Sequence, residues 1–151
     1  EILAAEGLPG ETLAAPDFWP QRYRSITDLE RHLHRNGTRI IKFFLHLSKD
    51  EQRKRLISRI DEPDKNWKFS LADIEQRKFW PQYQAAYVAC LNATSTSDAP
   101  WYAVPADDKQ NAHLIIAQAI LDTLKALAMT YPKSDRARQR ELQAIRKQLV
   151  K

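Results

Sequence analysis

A cluster of arginines and lysines dominates the middle of the chain, and its residue types suit the binding of phosphate groups. Arg55 and Arg59 are four residues apart, so they share one face of a predicted helix. The other members of the cluster are Lys65, Lys68, Arg77 and Lys78. Transfer of a phosphoryl group spreads negative charge over the transferring oxygens, and catalysis consists largely of positioning and charge compensation. Because Arg supplies bidentate contacts and Lys a point charge, the cluster indicates a phosphate site.

The same basic residues have an alternative explanation as one side of a salt-bridged surface. Acidic side chains that could pair with them are Asp61, Glu62, Asp64, Asp73 and Glu75. Runs of mixed charge are commonly a solvated helix face. Composition alone leaves the phosphate site and the paired surface equally open.

Three predicted elements position the cluster. The apolar, β-branched and aromatic run from Ile40 to Leu47 is typical of a buried strand in a parallel sheet. Ser48, with Glu51 three residues later, predicts a capped helix that carries Arg55 and Arg59. Ser70 and Asp73 predict a second capped start, of one long helix that includes Arg77 and continues through Leu91.

The flanking segments complete an alternating order of strands and helices. We expect a helix over residues 26–35 with Thr27 as its cap, and a second strand over residues 99–105. Helices are predicted from Asp107 to about Met129, and again from Ser134. Alternation of this kind predicts an α/β fold with a parallel sheet. A right-handed crossover would place the basic connector above the carboxyl ends of the strands, where ligands bind in such folds.

Bulk composition bounds the class of protein. The chain has 151 residues, 43% of them hydrophobic, which suits one soluble domain or a substantial part of one. It contains no apolar run of the roughly 18 residues that a membrane span needs. The single Cys90 cannot form an internal disulfide, so we expect a cytoplasmic protein. The net charge of +5 favours polyanionic partners.

Three long segments in the correct order resemble the polyphosphate kinase 2 family. The first runs from Ile40 to Gln52 and is followed by Arg55 and Arg59. The second runs from Asp61 to Ser70, and the third from Ala99 to Lys109. The resemblance covers nearly the whole chain, and three long matches are far more specific than one short motif.

The resemblance implies a three-layer P-loop kinase fold with a parallel sheet, a helical lid at about residues 59–80 and C-terminal helices over residues 107–150. It implies transfer of phosphate from polyphosphate to nucleoside mono- and diphosphates (AMP to ADP, ADP to ATP), with Mg²⁺ as cofactor. Arg59 and Arg77 would be catalytic, and Arg55, Lys65, Lys68 and Lys78 would bind polyphosphate. Trp67 would anchor the lid, and Asp107, Asp108 and Lys109 would form the rim of the active site.

Residues near the end of the chain look most like the branch of the family that phosphorylates both AMP and ADP. Two alternatives to this function remain: a non-catalytic module that binds polyanions, and a nucleotide kinase that uses ATP as donor. We expect no membrane and no specific nucleic acid among the partners, and the family suggests a homo-oligomer.

One feature of the family pattern is missing. A P-loop needs glycines before a Lys and a Ser or Thr, so that backbone N–H groups can converge on phosphate. Glycine occurs here only at Gly7, Gly10 and Gly37. We therefore expect the chain to be the carboxyl-terminal part of a P-loop kinase domain, with the P-loop and the Mg²⁺ ligands before Glu1, and to be inactive alone.

Overall fold

A computed structural model describes residues 7–150, which form seven α-helices, two β-strands and one 3-10 turn. The helices are α1 (Gly10–Ala14), α2 (Phe18–Arg35), α3 (Lys49–Asp61), α4 (Leu71–Arg77), α5 (Trp80–Thr94), α6 (Lys109–Ala126) and α7 (Arg136–Leu149). The strands are β1 (Lys42–His46) and β2 (Trp101–Pro105), and the 3-10 turn is Asn66–Lys68. The sequence also predicts a short helix near the start of the chain, and residues 1–6, where it would begin, lie outside the described residues.

The two strands pair in parallel, in a register that runs from Lys42 opposite Trp101 to His46 opposite Pro105. The ladder is closed at its carboxyl end by the Ala106 N–H, which donates to the His46 carbonyl at 2.9 Å. Between the strands the chain passes through α3, α4 and α5, as parallel pairing requires a long crossover. The predicted α/β class with parallel strands is confirmed.

A buried ion pair joins the long helix α2 to the first residue of β1. The Lys42 ammonium lies 2.7 Å from both carboxylate oxygens of Glu30, and the two side chains are only 12% and 11% exposed. Lys42 also donates to the Thr94 carbonyl at 2.7 Å and lies 5.2 Å from the centre of the Trp101 ring. Four elements, α2, β1, α5 and β2, therefore meet at one ammonium group.

The end of α5 extends this polar contact into the interior. Thr94 is 1% exposed, and its hydroxyl donates to the Cys90 carbonyl at 2.7 Å. The same oxygen accepts the Trp101 indole N–H at 2.9 Å. Cys90 is thus part of the packed end of α5. Such full satisfaction of polar groups is what burial demands.

The predicted start of helix α2, with Thr27 as its cap, is wrong. Helix α2 begins at Phe18 and not near Ile26, because Phe18 is buried and Pro20 is tolerated in a first helical turn. Thr27 is not a cap: its hydroxyl donates backward to the Arg24 carbonyl, one turn earlier in the same helix. A serine or threonine inside a helix makes this bond readily, so the capping pattern at Thr27 was ambiguous.

The long helix predicted from Ser70 to Leu91 is interrupted. Helix α4 ends at Arg77 and α5 begins at Trp80, with Pro81 at its start. An uninterrupted helix would require an N–H at Pro81 and would press its ring against the Arg77 carbonyl. The break leaves α4 as a separate seven-residue segment.

The capped starts are largely as predicted, whereas the burial of β1 is less than predicted. The Ser48 hydroxyl accepts the Glu51 N–H at 3.1 Å, and the Ser70 hydroxyl accepts the Ala72 N–H at 3.2 Å instead of the expected Asp73 N–H. Leu45 in β1 is 52% exposed, so in the described part of the chain this strand is only partly covered.

The chain divides into two compact units, residues 1–117 and residues 118–151. The first holds both strands and the buried ion pair. The second holds α7, which Asp135 caps by accepting the Arg138 N–H at 2.7 Å. Within residues 7–150 no helix is long and apolar enough to cross a membrane.

We predict that removing one partner of the Glu30–Lys42 pair destabilises the fold strongly. Glu30→Ala leaves a buried ammonium without its carboxylate, which costs about 3–5 kcal/mol. Urea unfolding of the full-length protein measures this loss. The matched control is Asp28→Ala on the same helix, which breaks an exposed pair with Arg31 and should cost less than about 1 kcal/mol. Equal losses in the two variants would contradict the assignment.

Candidate active site

A cleft of about 450 Å³ lies between the carboxyl half of β1 and the helices α3, α4 and α5. We call it the arginine cleft, because Arg55, Arg59 and Arg77 line it together. Of the carboxylate side chains in the described part of the chain, only Asp73 lines it with them. Three guanidinium groups against one carboxylate give the cleft a positive field, which concentrates polyanions. Its other lining residues are Phe44, Leu45, Leu47, Gln52, Leu56, Gln76, Trp80, Tyr83, Gln84 and Tyr87.

Two of the arginines connect the helices on either side of the cleft. Arg59 on α3 faces Asp73 on α4 at 3.8 Å, and both side chains are about 40% exposed, at 41% and 39%. Arg77 on α4 reaches back to the start of α3, donating to the Lys49 carbonyl at 3.1 Å and to the Gln52 side-chain oxygen. The Arg59–Asp73 contact is long and solvent-exposed, and such pairs contribute little to stability.

Arg55 has a different environment from the other two arginines. Its Nε donates to the Glu51 carboxylate at 3.0 Å, one turn earlier on α3. Its Nη2 donates to the backbone carbonyls of Ala106 at 2.7 Å and Asp107 at 3.0 Å, just after β2. Arg55 therefore contacts the segment that follows β2 as well as the arginine cleft.

The predicted rim residues lie where β2 runs into α6. The Ser48 backbone N–H donates to the Asp107 carboxylate at 2.8 Å. This bond lowers the pKa of the Asp107 carboxyl below its ordinary value, and the nearby Arg55 guanidinium acts in the same direction. Asp108 caps α6, because it accepts the N–H groups of Gln110 at 2.9 Å and Asn111 at 3.2 Å.

A separate, shallow cleft lies between α3 and the three rim residues Asp107, Asp108 and Lys109. Helix α3 contributes Glu51, Lys54, Arg55 and Ser58 to its lining. Gln110 completes the lining. The three rim residues are absent from the lining of the arginine cleft. Arg55 is the residue common to both clefts, so it forms part of the wall between them.

The three lysines predicted to bind polyphosphate lie outside both clefts and have local partners. Lys65 pairs with Glu62 three residues earlier, and this hydrogen bond lowers the pKa of the Glu62 carboxyl. Lys78 pairs with Glu75 at 2.5 Å, again at a spacing of three. The Lys68 ammonium lies 5.0 Å from the centre of the Trp67 ring. The paired-surface alternative therefore describes Lys65 and Lys78 in this conformation.

Trp67 does not anchor the lid by burial. Its side chain is 79% exposed, and its indole N–H donates to the Asp64 carbonyl at 3.1 Å within the same turn. The indole therefore fixes the shape of the turn rather than its attachment to the body of the protein. The segment is held instead by Asn66, whose amide donates to the carbonyls of Arg59 at 2.8 Å and Ile60 at 2.6 Å.

Several residues of the cleft are not among the predicted site residues. The helical spacing of Trp80, Tyr83 and Tyr87 in the sequence favours core or interface aromatics, but all three line the cleft on one face of α5. Tyr87 lies against Phe44 of β1, with ring centres 4.8 Å apart. Gln52 and Gln76 contribute amide groups on α3 and α4. Gln52 lies three residues before Arg55, so the two share one face of α3, and this spacing was the available signal in the sequence.

Arginines from α3 and α4 line a cleft at the carboxyl end of a parallel strand, an arrangement that suits α/β proteins that bind phosphate groups. The chain belongs to the Polyphosphate kinase 2 (PPK2) family, whose model matches residues 11–132. This confirms the family resemblance. The match covers both strands and helices α2 to α6, so it includes every residue of the arginine cleft.

Two relatives and a solved structure agree with this membership. The chain is 58% identical over 151 residues to an ADP-polyphosphate phosphotransferase of Rhodopseudomonas palustris, covering all of this chain and 52% of that protein. It is 46% identical over 127 residues to an AMP/ADP-polyphosphate phosphotransferase of Meiothermus ruber, covering 84% of this chain and 48% of the relative. The crystal structure of polyphosphate kinase 2 from Arthrobacter aurescens TC1 matches at a TM-score of 0.79 and 42% identity, over 87% of this chain and 47% of that one.

The chain thus spans about half the length of these relatives. The structural match at this identity confirms the predicted α/β kinase-like class. The P-loop arrangement itself and the boundaries of the lid stay predictions. Among residues 7–150 no three His, Cys, Asp or Glu side chains lie together as a metal site would need.

We predict that the hydrogen bond from the Ser48 N–H to the Asp107 carboxylate makes the free energy of unfolding fall as the pH becomes acidic. A carboxylate whose pKa is lowered on folding stabilises the fold above its unfolded pKa of about 3.9, and this contribution disappears as the pH falls through the lower, folded value. The difference in free energy of unfolding between wild type and Asp107→Ala should therefore shrink below about pH 4. Urea unfolding at several pH values measures it. A difference that is constant with pH would contradict the assignment.

Proposed function

We propose that the protein containing this chain transfers phosphate from polyphosphate to nucleoside mono- and diphosphates. The arginine cleft carries the proposal, because it gathers Arg55, Arg59 and Arg77 in a chain that belongs to the Polyphosphate kinase 2 family. The matched relatives are named as phosphotransferases of ADP or of AMP and ADP, which supports these substrates. Use of both AMP and ADP here is the narrower form of the proposal.

Arg59 and Arg77 are the proposed catalytic residues. Phosphoryl transfer passes through a state with charge spread over the equatorial oxygens, and positioned guanidinium groups stabilise it. Arg77 now donates to a neutral amide and a neutral carbonyl, and Arg59 only faces a carboxylate at 3.8 Å. A phosphate chain offers both guanidinium groups stronger, charge-assisted bonds than these partners do.

The break between α4 and α5 gives the cleft a way to adjust. Helix α4 carries Arg77 and Asp73 and is bounded by the turn at Lys78–Phe79 and by Ser70. Its contacts with α3 run through the two arginines. Replacement of those contacts by phosphate oxygens would let α4 move with the bound chain. Lys65, Lys68 and Lys78 flank this helix, and we propose that they approach the polyphosphate in that closed state.

Mg²⁺ is the proposed cofactor, although the residues described here offer no carboxylate cluster that would hold it. A homo-oligomeric assembly and a cytoplasmic location are proposed from the family resemblance and from the single cysteine.

We predict that Arg59→Ala or Arg77→Ala in the full-length protein reduces kcat with polyphosphate and AMP by on the order of 10³-fold, as for other arginines that compensate transition-state charge. Formation of ADP, followed by chromatography, measures it. The matched control is Arg53→Ala on α3, an exposed arginine 3.9 Å from Asp50 and outside the cleft, which should retain wild-type turnover. Near-normal turnover in both cleft variants would refute their proposed roles.

The choice of phosphate donor separates the proposal from its alternatives. We expect the full-length protein to phosphorylate AMP and ADP when polyphosphate is the donor, and to show far lower rates with ATP as donor to AMP. Equal or faster transfer from ATP would identify an ATP-dependent nucleotide kinase. Salt-dependent binding of polyphosphate without any transfer would identify a polyanion-binding module.

A further inference from the structure

The hydrogen bonds of Arg55 to the rest of the protein leave it poorly suited to bind phosphate. Its Nη2 donates to two backbone carbonyls, those of Ala106 at 2.7 Å and Asp107 at 3.0 Å. Its Nε donates to the Glu51 carboxylate at 3.0 Å. Ala106 is only 6% exposed, so its carbonyl has little access to water as a substitute partner. A guanidinium that left these oxygens to bind phosphate would abandon them at a cost.

The same two chain segments are joined a second time, in the opposite direction. The Asp107 carboxylate accepts the Ser48 backbone N–H at 2.8 Å, and the Ser48 hydroxyl accepts the Glu51 N–H at 3.1 Å. Ser48, Glu51, Arg55 and Asp107 thus form a closed set of bonds, which we call the strand-end clasp. It connects the residues that follow β1 to the residues that follow β2.

The position of the clasp gives it a functional consequence. Ser48 caps α3, so fixing Ser48 to Asp107 fixes where that helix begins. Arg59 lies one turn beyond Arg55 on the same helix and points into the arginine cleft. At the other end of the clasp, Asp108 starts α6 by accepting the N–H of Gln110. The clasp therefore fixes the distance and orientation between Arg59 on α3 and the rim residues at the start of α6.

We propose that Arg55 is a positioning residue for phosphoryl transfer, which holds the two strand ends together through the Ala106 and Asp107 carbonyls, and that it does not bind polyphosphate. The inference rests on the proposed function and changes the role expected for Arg55 within it. A displacement of about 1 Å in a positioned group can cost on the order of 100-fold in rate, so the clasp has leverage on catalysis without touching substrate.

Lysine distinguishes a positioning role from a phosphate contact. Lys keeps the positive charge but has one nitrogen on a flexible stem, so it cannot reproduce the planar fork that reaches Glu51 and both carbonyls together. As a phosphate contact, Lys would retain much of the function of Arg55. As a member of the clasp, Lys should be almost as poor as Ala.

The experiment compares Arg55→Lys, Arg55→Ala and Asp107→Ala in the full-length protein. We expect kcat with polyphosphate and AMP to fall by about 10- to 100-fold in all three, while the Kd for polyphosphate of defined length stays within about threefold of wild type. Amide hydrogen exchange should become faster at residues 46–50 and 105–110 in all three variants. Arg53→Ala on the same helix serves as control and should match wild type in every readout.

Two results would overturn the proposal: recovery of most of the wild-type kcat by Arg55→Lys, or a tenfold or greater rise in the polyphosphate Kd in either Arg55 variant. Unchanged exchange at both strand ends would overturn it as well. If Arg55→Ala does not fold, Arg55→Lys and Asp107→Ala decide the matter. Failure of the wild-type protein to transfer phosphate would instead contradict the proposed function, because the exchange readout reports on the clasp without turnover.

Discussion

The buried pair of Glu30 and Lys42 is the constraint on which the arrangement of the first unit depends. An ammonium held by a carboxylate, a carbonyl and an indole face fixes α2, β1, α5 and β2 at one point. With the amino end of β1 fixed there, the position of its carboxyl end determines where Ser48 starts α3. Helix α3 in turn positions Arg55 and Arg59. Burial of a charge pair is weak evidence for stability in itself, but it defines one geometry, since either charge alone inside the protein is expensive.

The chemistry of the site follows from how its charges are counterbalanced before substrate arrives. Arg59 and Arg77 have partners that phosphate oxygens can outcompete: one distant carboxylate, one amide and one carbonyl. Arg55, by contrast, donates to two backbone carbonyls, and one of them belongs to the buried Ala106, where water has little access as a substitute partner. In the account proposed above, the arginines of one cluster therefore divide into two that bind substrate and one that holds the scaffold. Their difference lies in the cost of leaving their present partners, not in residue type.

Local patterns in the sequence predicted most helices and strands, whereas contacts between residues far apart in the sequence could not be predicted from it. The cap at Ser48 and the parallel strands follow from patterns within ten residues, so they could be predicted. The predicted cap at Thr27 was wrong because a threonine at a helix start and one inside a helix give the same sequence pattern. The helix break at Pro81 had a local signal, the proline itself, which the predicted long helix did not take into account. The Arg55 bonds span 51 and 52 residues, and nothing near Arg55 distinguishes a carbonyl ligand from a phosphate ligand.

A crystal structure of the full-length protein with bound polyphosphate tests the central claim most directly. The account predicts phosphate groups in the arginine cleft within hydrogen-bonding distance of Arg59 and Arg77, with the Arg59–Asp73 contact broken and the Arg55 bonds to Ala106 and Asp107 intact. A phosphate chain bound elsewhere, for example along the basic helix α7, with the Arg59 and Arg77 contacts unchanged, would contradict it.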